Sequence, residues 1–119
     1  MLDKFDAFVV AKELYKKCKS LKLPRNLKDQ LLRASSSVAL NLAEGSGKHT
    51  PEDQRRFYSI SFGSLRECQA IFAIEEIDDQ DLKILTDRLG AMLFKLSRKL
   101  YDGKPNGNSD AKRRTAADN

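Results

Sequence analysis

The chain has 119 residues, 40% of them hydrophobic and 33% charged, with a formal net charge of +5. That length holds one domain whose core needs no disulfide or metal staple. No apolar run approaches the ~20 residues of a membrane span, and the opening Met1-Leu2-Asp3-Lys4-Phe5-Asp6 lacks a signal-peptide core. Together these predict a cytoplasmic protein.

The first helix is expected over about residues 3–21, with Asp3 as its N-cap and Ala7, Ala11, Leu14, Cys18 and Leu21 as a heptad-like inward seam. Leu23-Pro24 breaks it. The second, about 26–45, starts around Asn26 and turns Leu27, Leu31, Ala34, Val38 and Leu42 inward. It closes at Gly45-Ser46-Gly47, where glycine can take left-handed C-cap geometry. The third, about 51–76, has the clearest start, with Thr50 at N-cap, Pro51 at N1 and Asp53 at N3. Its expected core residues are Phe57, Ile60, Ser64, Cys68, Ile71 and Phe72. The fourth, about 79–101, is capped by Asp78 with Asp81, buries Leu82, Leu85, Leu89, Met92, Leu96 and Leu100, and stops at Gly103-Lys104-Pro105. Residues 102–119 read as a disordered polar tail, leaving 1–101 as the folded domain.

Connections this short force successive helices to be antiparallel, so the expected fold is all-α, an up-down-up-down four-helix bundle. Folding the second helix back on the third sets Ala34-Ser35-Ser36-Ser37 level with Ser61-Phe62-Gly63-Ser64, a seam of small residues that lets two backbones approach closely. The same register places Cys18 level with Cys68 on diagonal helices. That separation is too wide for bridging, so two free, buried thiols are expected. Val9, Leu32, Leu40, Phe62, Ile84 and Phe94 fall off the inward stripes. Six such residues exceed what one bundle needs: some reflect a wide core stripe, and the remainder point to coverage by another copy of the chain.

Catalytic patterns are not met. His49 is the one histidine, it lies in a loop, and no Glu-x-x-His pair exists to build a bundle metal site. Gly45-Ser46-Gly47-Lys48 follows a helix and lacks the spacing of a phosphate loop. The expectation is a non-enzyme with no cofactor and no metal.

Charge carries the functional signal. Residues 1–50 hold ten Lys and Arg against five Asp and Glu, whereas residues 51–101 hold eight against nine. Lys12, Lys16 and Lys19 recur at helical spacing on one side, Lys22 and Arg25 extend the patch into the turn, and Lys28 opens the neighbouring helix. Such a patch can contact phosphates in a salt-sensitive, sequence-independent way; a solvated helix face is the plainer reading. Asn41 and Glu44 sit by the Gly45 turn. Glu44, unfavourable at a helix C-terminus, calls for a cation from Lys48, Arg55 or Arg56.

The run Leu31-Leu32-Arg33-Ala34-Ser35-Ser36-Ser37-Val38-Ala39-Leu40-Asn41-Leu42-Ala43-Glu44-Gly45 carries a further signal. With Gly47-Lys48, Arg56-Phe57-Tyr58 and Gly63-Ser64-Leu65-x-Glu67, it resembles the signature of the 23S rRNA intervening-sequence protein family, over about residues 4–100. The resemblance implies a short four-helix bundle assembled as a ring-like homopentamer. It also implies kinship with the accessory variability determinant proteins of diversity-generating retroelements, which bind a reverse transcriptase and nucleic acid. Motif positions Arg33, Ser37, Asn41, Glu44, Gly45, Phe57, Gly63, Ser64 and Glu67 are expected to be mainly structural: corner clamp, C-cap and close seam. The hydrophobic residue that the family often carries near the end of its tyrosine-rich helix 3–4 corner is replaced here by the acidic stretch from Glu75 to Asp81, which favours a stand-alone member over a reverse-transcriptase partner. The combined reading is a non-enzymatic homo-oligomer that binds RNA or DNA through its basic surface. The alternative is an oligomeric protein-interaction scaffold with no nucleic-acid role.

Overall fold

The computed structural model describes the backbone of residues 2–102 and the side chains of residues 5–100. The Asp3 cap and the tail beyond residue 102 lie outside these. Four helices follow one another: α1 (Leu2–Ser20), α2 (Arg25–Ser46), α3 (Pro51–Ile74) and α4 (Gln80–Asp102), with no strand among the described residues. Connections of four or five residues make neighbours antiparallel. Each helix packs on the next and α4 closes on α1, while the diagonal pairs stay apart. The section is therefore a square in the order α1, α2, α3, α4, and the α2–α3 contact is the most extensive. Among the described residues no helix is long and apolar enough to cross a membrane.

The core is mostly aliphatic: Leu14, Leu31, Val38, Leu42, Leu65, Leu82, Leu89 and Leu93 are all buried. Burying each such side chain contributes about 1.5–3 kcal/mol relative to exposure. Ala7, Ala11, Leu14 and Cys18 form the α1 seam as expected, joined by Val10. The buried serine and threonine hydroxyls are each satisfied by a main-chain carbonyl, whereas the buried Tyr58 hydroxyl has no hydrogen-bond partner among the described residues. Ser61 donates to Val38 (2.8 Å), Ser35 to Leu32 (3.4 Å) and Thr86 to Leu82 (2.9 Å).

The α3 stripe departs from expectation. Tyr58, Ser61, Leu65, Cys68 and Ile71 face inward, whereas Ile60 is 44% exposed and Phe57, Ser64 and Phe72 are only partly covered. Size decides this, since α2 and α3 approach closely enough to select small side chains. Ser61 bonds to α2, and Ser37 Oγ lies 2.8 Å from Ser64 Oγ. Gly63, expected in that seam, is instead exposed, and a Cβ there would meet nothing within 4 Å.

The helix ends also correct several expectations. Helix α2 starts at Arg25 behind Pro24, with no side-chain cap from Asn26. Its C-cap Gly47 has φ −92, a right-handed conformation, and no described glycine has positive φ. Thr50 caps α3 as expected, accepting from Asp53 N at 3.1 Å. Helix α4 is capped by Asp79 Oδ1, bonded to Leu82 N at 3.0 Å, and not by Asp78. The reason is reach, because three residues separate a capping side chain from the amide it satisfies. Among the described residues the left-handed one is Glu76 (φ 52), at the α3–α4 corner.

Candidate nucleic-acid interface

The six basic residues singled out in the sequence divide among three places. Lys12 and Lys16 lie along the exposed side of α1, at the rim of a groove of about 450 Å³ between α1 and α2. Val9, Tyr15, Ala39 and Leu40 supply its apolar surface, with Ser36 and Glu13 beside them. Lys19, Lys22 and Arg25, all exposed, gather at the corner where α1 passes to α2.

Lys28 has a different task. Half-buried, its ammonium donates to the carbonyls of Lys19 (2.8 Å) and Leu21. Those acceptors belong to the C-terminal end of α1, where carbonyls have no intrahelical donor and positive charge is favoured. Lys28 thus ties α2 to the end of α1 and is not part of the exposed basic surface.

Aromatic rings steady the lysines of α1. Lys12 Nζ lies 5.6 Å from the Phe8 ring centre and Lys19 Nζ 5.0 Å from that of Tyr15. Both pairs are one helical turn apart, a spacing visible in the sequence. Lys17 turns the other way and bridges to Asp81 of α4 at 3.1 Å; that hydrogen bond raises its pKa. This long-range pair had no signal in the sequence.

The motif positions resolve into local clamps. Asn41 donates to the main-chain oxygen and to the hydroxyl of Ser37, both at 2.9 Å, and so joins the Ser37–Ser64 contact. Glu44 pairs with Lys48 at 3.1 Å, one of the three cations anticipated for it. Lys48 and Arg56 both lie over Phe57, at 5.1 Å and 4.8 Å. Gly45 is buried, and a Cβ there would stand 2.8 Å from Tyr58 Cε1, so its role is close packing against α3. Arg33 is exposed on the outer side of α2, and His49 is exposed in the α2–α3 loop.

The opposite face, between α3 and α4, carries two grooves. One of about 310 Å³ is lined by Phe62, Leu93 and Phe94 with Arg55, Ser59 and Ser97. The other, of about 290 Å³, lies at the α3–α4 corner among Phe72, Ile77 and Leu82, with Glu76, Asp79 and Asp87 at its edge. Among the described residues no three His, Cys, Asp or Glu side chains cluster as a metal site would require.

The family model described as 23S rRNA-intervening sequence protein matches residues 5–99. No curated protein and no solved structure matches the chain.

Proposed function

Because the chain belongs to the 23S rRNA-intervening sequence protein family, we propose that it is a non-catalytic, homo-oligomeric accessory protein that holds nucleic acid at the α1–α2 corner. The observation that carries this reading is the exposure of Lys19, Lys22 and Arg25 together there, with no carboxylate of the described residues paired to any of them. Phosphates drawn to the corner release counterions, giving affinity without base readout. Exposed rings that could stack on bases are scarce at the corner, since Tyr15 is half-buried beneath Lys19. Generic RNA and DNA are therefore both ligands.

One corner offers only about three phosphate contacts, a weak site at cellular salt. Repetition in an oligomer multiplies it, because the second and later contacts become intramolecular. The ring-like homopentamer implied by the family resemblance would supply that repetition, and a reduced cytoplasmic setting suits the two free thiols.

Mobility shift with generic RNA and DNA over a salt series tests the reading. Retention should fall steeply with salt, and Lys22→Glu with Arg25→Glu should abolish it at every salt concentration. Unchanged retention by that double variant overturns the corner assignment. The scaffold alternative rests on Phe94 and Leu40, which are 62% and 67% exposed. It forecasts salt-tolerant binding of a protein and no shift of nucleic acid.

A further inference from the structure

The three grooves described above differ in the charge of their rims. Lys12 and Lys16 stand at the α1–α2 groove, and Arg55 at the groove beside Phe94. The groove of about 290 Å³ at the α3–α4 corner is the acidic one: Glu76, Asp79 and Asp87 outnumber Lys83 around a floor of Phe72, Ile77 and Leu82. Its carboxylates keep spare capacity. Glu76 and Asp87 are exposed, Asp79 caps α4 with one oxygen, and Asp87 has a 4.0 Å contact with Lys83. Such a rim over an apolar floor fits cationic side chains with long apolar stems.

The chain carries such a segment within reach. Beyond α4, which ends at Asp102, the sequence continues as Gly103-Lys104-Pro105-Asn106-Gly107-Asn108-Ser109-Asp110-Ala111-Lys112-Arg113-Arg114. Gly103 to Gly107 is turn chemistry, and Pro105 with the Asn106-Gly107 pair suits sending the chain back along the helix it leaves. Asp87 lies fifteen residues before Asp102, a rise of about 22 Å. From Asn108, six or seven extended residues span about 20–23 Å. That span sets Arg113 and Arg114 level with Asp87, at the near mouth of the groove.

We propose that the α3–α4 corner groove is the docking site for the basic segment Lys112-Arg113-Arg114 of the same chain, folded back along α4. Arg113 and Arg114 pair with Asp87 and reach toward Asp79 and Glu76, while their stems cover Phe72 and Ile77. Exposed ion pairs are individually weak, but the short tether makes this contact intramolecular and so raises its population. Lys12 and Lys16 repel the same segment from the α1–α2 groove, so charge selects the corner. Docked, the segment straps α3 to the first turns of α4. The assignment is independent of nucleic-acid binding and of self-assembly.

The full chain, free of nucleic acid, tests this through its amide chemical shifts. Arg113→Glu with Arg114→Glu, both beyond the four helices, should move the amides of Phe72, Ala73, Ile77 and Asp87 and leave those of the α1–α2 corner in place. At ~1 M salt, where charges are screened within about 3 Å, wild type and variant should coincide in the groove. Trypsin reads the contact from the other side. Glu76→Gln with Asp87→Asn should speed cleavage after Arg113 and Arg114 several-fold, to the rate wild type shows at that salt, and unchanged circular dichroism verifies the fold. Groove amides that stay in place, shifts that fall on another face, or an unchanged cleavage rate each overturn the site. Mixing isotope-labelled Arg113→Glu, Arg114→Glu chain with unlabelled wild type identifies the owner of the docked segment. Groove amides that return to their wild-type positions show that a neighbouring copy supplies it, which overturns docking within one chain; amides that the mixture leaves displaced support it.

Discussion

Gly45 and Gly63 both occupy helical backbone, and their surroundings are opposite. A Cβ at Gly45 would meet Tyr58 Cε1 at 2.8 Å and Phe57 Cβ at 3.0 Å, whereas one at Gly63 meets nothing within 4 Å. Gly45→Ala should therefore destabilise the fold by about 1–2 kcal/mol, the overpacking cost exceeding the gain in helix propensity. Gly63→Ala should stabilise it by about 0.5–1 kcal/mol by restricting the unfolded chain. Urea denaturation of the two variants measures both, and equal signs would contradict these surroundings. The sequence marks both glycines without ranking them. Only the neighbour across the helix pair distinguishes a required glycine from an optional one.

Helix ends show how far local rules reach. Thr50-Pro51-x-Asp53 announces the start of α3, and the cap forms as written. The end of α3 is harder to read. Glu76 N bonds to Ala73 O at 3.2 Å and Ile77 N to Phe72 O at 2.9 Å, while Glu76 takes φ 52. This is the Schellman pattern, with glutamate in the position glycine usually occupies. An L-residue in that conformation costs about 1 kcal/mol. Glu76→Gly should accordingly raise the thermal midpoint, with a gain of about 1 kcal/mol, and Thr50→Ala should lower it by a similar amount. Calorimetry on both variants checks the pair. With no glycine to flag it, the corner is legible in the sequence only as an acidic break, and the cap forms at Asp79, one residue after the expected Asp78.

At the scale of the whole bundle, the diagonal thiols report on burial. Cys18 and Cys68 are free and fully buried, and desolvation pushes Cys18 from near 9 up to about 11 and Cys68 further still. A thiol whose folded pKa is raised adds stability that is complete below the unfolded value and is lost as pH climbs through the folded one. Stability should fall between pH 9 and 11 by roughly 2 kcal/mol for each thiol. Burial raises the pKa of Tyr58 as well, so it adds to the same alkaline slope. The contribution of the thiols is therefore the part of the slope that disappears in Cys18→Ala with Cys68→Ala. A double variant with an undiminished slope would show that the thiols are not buried together.

Local chemistry determined a great deal by itself: four helices, their approximate limits, the antiparallel order forced by short connections, the α1 seam and the division of charge between the two halves. These follow from periodicity and turn residues, which act within a few positions of one another. Tertiary structure decided what depends on distance between helices. It chose Ser61 over Ile60 for the core because close backbones select for size. It turned Lys28 onto the end of α1, sent Lys17 to Asp81, and set two apolar grooves on opposite faces. Those outcomes belong to the angle at which one helix meets another. No single stretch of chain carries that angle, because it is fixed only when all four helices close on a common interior.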